Sequence, residues 1–466
     1  MRELLEQIID EAKRRGASFA DARAGSSEHT TIVVQEGRIH RLNSERGSRI
    51  SVRVLVEGAW GFATASAPST VTARQCLEDA ISMAKAASVA VREPARVAEV
   101  EPVQATSRLP CRIDPRGMSL SERVSAVAAL EERARKHHEA VVNTVLRYSD
   151  SSGAVELANS FGTYLRWDRT YCSISLSVVA ANEETRQRSY EAKALPAGWE
   201  VVADLDPEQF AGRTAQQAVE LLSAVEPPAG TMMVILDPDM TGLITHEAFG
   251  HNCEADLVWA GESIVAGKVG EQVAASSVTI VDDPTLRIHN GTVEYDDEGV
   301  RAQRHVLVDK GVLTGFLHSL ETAAYFETQP NGAGRASGVG AIPVPRMSNT
   351  FIEPGDASLE QLIAEVKRGV LIERSLGGYV ITTKGGFSFR GETGYEIENG
   401  KLGRRIRNCT LTGLTLETLR GVIGVSSDFE LRDSGTCGKK GQGVPVSTGG
   451  PYVLVKELTV GGSRTD

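Results

Sequence analysis

The stretch Met232-Met-Val-Ile-Leu-Asp-Pro-Asp-Met-Thr-Gly-Leu-Ile-Thr-His-Glu-Ala-Phe-Gly-His251 decides how the second half of the chain is organised. Met232 to Leu236 is a continuous apolar run and predicts a buried strand. Asp237 followed by Pro238 reads as an N-cap with proline at the first helical position. The helix opening there carries His246-Glu247-Ala-Phe-Gly-His251, two imidazoles with a carboxylate directly after the first. Such a set can supply two metal ligands and a general base, as H-E-x-x-H does, but the spacing here is one residue longer. Each residue of a regular helix turns about 100°, so a histidine four positions on lies about 40° away and one five positions on about 140° away. A regular helix would split the pair. A π-type turn brings the fifth residue back to within roughly 50°. Gly250 makes such a distortion cheap. The spacing therefore predicts a locally widened turn.

Outward from this segment, Glu226-Pro-Pro-Ala-Gly-Thr231 marks a boundary. It divides the chain into an N-terminal domain, 1–225, and a C-terminal domain, 231–466. In the first, 2–15 reads as an amphipathic helix with Leu4, Leu5, Ile8, Ile9 and Ala12 on one face. Alternating runs at 31–34, 48–56 and 60–64 predict strands. Helices follow at 70–87 and 119–138, the latter opened by the capping box Ser119-Leu-Ser-Glu122. Strands return over 141–179, and 207–225 reads as a helix. The turn and strand at 36–56 resemble those at 160–179, as an internal duplication would produce. Beyond Val258, short strands and turns dominate, with helices near 320–326 and 359–368. The expected fold is α+β, a two-layer α/β domain followed by a strand-rich, β-barrel-like domain that carries the motif helix.

Composition removes several functions. The 466 residues carry a net charge of −11, and no basic block interleaved with aromatics is present to neutralise phosphates. Nucleic acid is excluded as a partner. The six cysteines form no C-x-x-C pair and read as reduced thiols. With no signal-peptide core and no apolar run of membrane-spanning length, the expectation is a cytoplasmic protein without a membrane partner.

Gly332-Ala-Gly-Arg-Ala-Ser-Gly lacks the G-K-[ST] of a phosphate loop and reads as a turn. Glu254 and Asp256 are placed either to hydrogen-bond a ligand histidine or to solvate a helix end. Gly385-Gly-Phe-Ser-Phe389 reads as an edge strand that an extended peptide could join.

A catalytic zinc takes three protein ligands and leaves a fourth position open. Two cysteines compete for the third place: Cys253, awkwardly close to His251, and Cys437, in a Gly-rich stretch where the backbone can approach an ion. Asp433-Ser-Gly-Thr-Cys437-Gly-Lys-Lys-Gly-Gln-Gly-Val-Pro-Val, Gly394-Tyr-Glu-Ile-Glu-Asn-Gly-Lys and Pro343-Val-Pro-Arg-Met-Ser-Asn-Thr accompany the histidine motif. Together these segments resemble the TldD/PmbA family of metallopeptidases, over nearly the whole chain. The family pairs a TldD-type subunit that has the His-Glu motif with a TldE/PmbA-type subunit that lacks it, and this chain resembles the former. The resemblance implies zinc on His246, His251 and Cys437, with Glu247 drawing a proton from the metal-held water that attacks a peptide bond. It also implies a homodimer, or a heterodimer with a TldE/PmbA-type subunit, around a chamber reached by short or unfolded peptides. Two other readings stay open: a non-enzymatic peptide-binding or regulatory subunit, and a metal-dependent amidase acting on a non-peptide bond.

Overall fold

The computed structural model describes residues 1–462. The chain is α+β, built on two large sheets. The first begins with helix Arg2–Arg14, followed by strands Phe19–Gln35, Arg38–Val56 and Ala59–Ser66 and helix Thr70–Ser88. The same order then recurs: helix Leu120–Arg135, strands Val141–Asn159, Tyr164–Ala181 and Arg186–Leu195, and a helical segment ending at Glu220. Strands Phe19–Gln35 and Val141–Asn159 pair antiparallel from Asp21↔Asn159 to Gln35↔Val145 and join the two halves. Gln104–Arg108 adds in parallel beside Tyr164–Ala181 and completes seven strands.

Each pair of helices covers its own half of this sheet. Leu5, Ile8, Ile9 and Ala12 pack with Cys76, Leu77, Ala80 and Ile81 over the first three strands. Val127, Leu130 and Ala134 pack with Ala211, Ala215 and Ala218 over the other half. The Ser119–Glu122 capping box forms as its sequence predicts, satisfying two of the backbone donors that open the helix. The segment expected as one helix over 207–225 begins instead with a π-turn, Glu208–Gly212, before α-helix Arg213–Glu220.

The second sheet has ten strands. Gly230–Leu236 pairs with Arg368–Ile381, which pairs with Gly386–Glu398, then Lys401–Leu414, then Gln442–Gly462. Gln442–Gly462 returns to Gly230–Leu236 through Val453↔Leu236 to Val460↔Gly230. Five strands thus form a closed circuit, which leaves no open edge among them. Gly386–Glu398 is consequently an interior strand, paired on both sides. The expectation of a peptide-accepting edge at 385–389 is overturned, because the backbone groups it requires are already bonded. Among the described residues, no helix is long and apolar enough to cross a membrane.

Helix Pro238–Leu243 leaves the barrel strand Gly230–Leu236 and crosses onto the hairpin of Val422–Lys439 and Gln442–Gly462. Asp237 caps it, its Oδ1 accepting from the Met240 amide at 2.7 Å. The crossing is a backbone-on-backbone contact. A Cβ at Gly242 would stand 2.3 Å from the Gly449 amide nitrogen. We expect Gly242→Ala to destabilise the protein by about 1–3 kcal/mol through overpacking. Urea denaturation would show this as a lower midpoint with an unchanged slope; an unchanged midpoint would mean the two backbones separate freely.

Candidate metal centre

The motif helix is almost wholly buried. Met240, Ile244, Ala248 and Phe249 face the core of the second domain. From Pro238 to Ala255, only Asp239, Leu243 and Glu247 are partly exposed, one residue per turn along a single stripe. After Leu243 the helix widens into a π-turn over Ile244–Phe249, and then tightens into a 3-10 turn over Gly250–Cys253. This is the widening that the five-residue histidine spacing predicts. It brings the imidazoles of His246 and His251 to 5.3 Å between ring centroids, 79° apart in plane.

Gly250 has a different role from the one its sequence suggests. Its φ of −59° and ψ of −43° are ordinary helical values, so conformational freedom is not what the position requires. A Cβ there would lie 2.0 Å from Met347 Sδ. Glycine makes room for that thioether against the widened turn.

Cys437 also differs in setting. It sits in a strand rather than in a loop, opposite Val444 and three residues before Lys440, which forms the hairpin turn with Gly441. Both turn residues have positive φ, 49° and 73°, as a two-residue hairpin loop twisted with its strands requires. The hairpin places Cys437 Sγ 3.6 Å from His251 Nε2. One ligand atom each from His246, His251 and Cys437 fall within 4.8 Å of one another, all buried. Cys253 is also buried, but it packs in the apolar core and takes no part in this group.

The polar atoms around the cluster are unevenly satisfied. Both ring nitrogens of His246 are buried with no hydrogen-bond partner, an arrangement normally avoided because it costs an unmade bond. His251 Nδ1 instead meets Glu254 Oε2 at 2.8 Å, leaving Nε2 turned toward the sulfur. Of the two acidic candidates, Glu254 thus holds the histidine, while Asp256 binds Lys439 and Lys440 at 2.6 and 2.9 Å. Glu247 Oε2 lies 3.6 Å from His251 Nε2, with its side chain 35% exposed, so its carboxylate reaches open space.

Electrostatics match this donor set. Burial pushes the Cys437 thiol up, but the imidazoles of His246 and His251 outweigh it and hold the sulfur at about 5 instead of the ordinary 9.0. Burial lowers His251, and the charges of Glu254 and Cys437 reverse that and raise it. His246 is likewise raised, Cys437 overcoming its desolvation. Burial would raise Glu254, yet His251 and Lys439 hold it down at about 2. Two imidazoles and a thiolate form a soft, nitrogen-and-sulfur donor set suited to zinc. One of the unpartnered nitrogens of His246 would be free to join the same donor set.

Sequence reasoning missed three supporting residues. Lys439 Nζ reaches Glu254 Oε2 at 3.0 Å. Arg346, fully buried, donates to the Cys437 carbonyl. Met347 fills the space beside Gly250. Arg346 and Met347 lie in the Pro-Arg-Met run already noted, but nothing in the sequence shows that this run lies beneath the Cys437 hairpin.

Profiles described as PmbA/TldA metallopeptidase domain 1, central domain and C-terminal domain match residues 20–88, 113–222 and 229–462. This chain belongs to the PmbA/TldD family. A protein named metalloprotease from Methanothermobacter thermautotrophicus is 38% identical over 96% of each chain. A protein named zinc metalloprotease TldD homolog from Saccharolobus solfataricus is 28% identical over 98% of this chain and 99% of its own. TldE from Thermococcus kodakarensis shares the fold, with a TM-score of 0.79 and 19% identity over 98% of this chain and 100% of its own.

The sulfur's ionisation is directly measurable. Because its folded pKa is depressed, the thiolate's contribution to stability is complete above pH 9 and fades as pH falls toward 5. In metal-free protein, thiolate ultraviolet absorbance should persist at pH 7 and disappear with a midpoint of about 5. Cys437→Ser should remove it. A midpoint near the ordinary value would mean that the imidazoles do not act on the sulfur.

Proposed function

We propose that this protein is a zinc-dependent metallopeptidase, with His246, His251 and Cys437 as ligands and Glu247 as general base. The observation that carries the reading is the buried, unpartnered imidazole of His246 beside a second imidazole and a thiol, with one carboxylate at the open side. Zinc there would act as a Lewis acid, polarising a carbonyl and bringing the pKa of water to about 7.

The protein's own groups divide the remaining work. His251 is held by Glu254 with Nε2 facing the Cys437 sulfur, and the charges around Cys437 favour its deprotonated form. Glu247 stands on the stripe that the core leaves open. Its Oε2 would accept the proton of a water attacking a scissile carbonyl, and then return that proton to the departing amine nitrogen. The substrates are short or unfolded peptides. The partner is a second copy or a TldE/PmbA-type subunit, in keeping with the TldE-like fold, and together the two enclose a chamber around the site.

Metal analysis combined with peptide cleavage tests the assignment. Glu247→Ala should keep its zinc and lose activity by about 10²–10⁴-fold, the range of general acid–base catalysis. Cys437→Ser should lose zinc itself. Full activity in the first variant would overturn the role of Glu247, and full zinc content in the second would remove the third ligand.

A further inference from the structure

We infer that Glu254 is a positioning residue that latches the two halves of the metal site together before any ion arrives; this rests on the metal-site reading above. His251 and Cys437 come from distant parts of the chain, and a site whose ligands drift apart must be reassembled each time it binds. One oxygen of Glu254 spans the gap. Its Oε2 meets His251 Nδ1 at 2.8 Å on one side and Lys439 Nζ at 3.0 Å on the other. Lys439 lies two residues beyond Cys437, on the same strand. A single carboxylate therefore holds the imidazole of one ligand and the strand bearing another.

The surroundings reinforce the latch. Glu254 is fully buried and Lys439 nearly so, each side chain 7% exposed or less. Arg346 lies with Nε 3.9 Å from Glu254 Oε1 and donates through its other nitrogens to the carbonyls of Cys437 and Gln442. It thus steadies the hairpin that Lys439 anchors. Lys439 also donates to Asp256 Oδ1 at 2.6 Å and to the Pro345 carbonyl at 2.9 Å. A carboxylate behind a ligand histidine fixes which nitrogen faces the metal and how the ring is turned. Here the same carboxylate also sets the distance to the sulfur.

The test uses the full chain with zinc alone, then with cobalt as a spectroscopic substitute. Glu254→Ala should weaken zinc binding about 10–100-fold in chelator competition, and should alter the visible bands of the cobalt form. Glu254→Gln, which keeps an oxygen for both partners, should restore most of the affinity. In metal-free protein, hydrogen exchange should rise about tenfold at 250–255 and 436–445 in Glu254→Ala, and remain near wild type in Glu254→Gln. Should Glu254→Ala fold poorly, the uncharged pair Glu254→Gln with Lys439→Met takes its place, with the same loosening expected. Wild-type affinity, cobalt spectrum and exchange in Glu254→Ala would overturn the latch. Absence of zinc binding by the wild type would instead overturn the metal-site reading, while the exchange measurement still decides whether Glu254 joins the two segments.

Discussion

The site depends on one contact that contains no side chains. Helix Pro238–Leu243 lies on the hairpin of Cys437 at Gly242 and Gly449, where even a methyl group would fall 2.3 Å from a backbone nitrogen. Gly449 is itself pressed against its partner strand, since a Cβ there would stand 2.1 Å from the Glu430 carbonyl. The helix axis is therefore fixed against the hairpin at backbone distance. One turn beyond the contact, His246 comes under the sheet, and its reach to Cys437 follows from how close the two elements are. Larger residues at the crossing would hold the helix and the hairpin apart, and His246 and Cys437 with them.

Once the helix is pinned there, the histidine spacing becomes a requirement. Between His246 and His251 the chain must bring two rings to one side across five residues, and a regular α-turn would send the second to the far face. The π-turn resolves this at the cost of weaker helical hydrogen bonding. The burial of Ile244, Ala248 and Phe249 in the domain core offsets that cost. The turn is thus held by packing on one side and by Met347 on the other.

Much of this was legible in the sequence. The Asp237 cap, the proline after it, the widened turn and the Ser119 capping box all follow from local rules acting within a few residues. The α+β class and the strand-rich second half of the chain follow from periodicity. What escaped were contacts made across long separations. Gly250 reads as a flexible residue, yet the reason for it is Met347, almost a hundred positions away. Cys437 reads as a loop cysteine because glycines surround it, yet Gly435 serves close strand packing and Gly441 the tight hairpin. Residues 385–389 read as an edge because nothing local reveals that Lys401–Leu414 pairs on the second side. Lys439 carries no sign of its link to Glu254. In each case the local pattern is compatible with two environments, and only the closure of the barrel selects between them.

Burial decides the remaining question, why Glu247 rather than another acid faces the open side. The residue after a ligand on a helix points roughly 100° away from it. His246 must face inward to meet Cys437, so its successor turns outward along the stripe shared with Asp239 and Leu243. Glu254 and Asp256 are drawn the other way, into ion pairs with Lys439 and Lys440. The three acids near the histidines are sorted by these geometric demands: Glu254 and Asp256 are neutralised by lysines, and Glu247 is left at the open face. The adjacency of histidine and glutamate in the motif is therefore matched by helical geometry: it is the spacing that puts the imidazole in the core and the carboxylate at its rim.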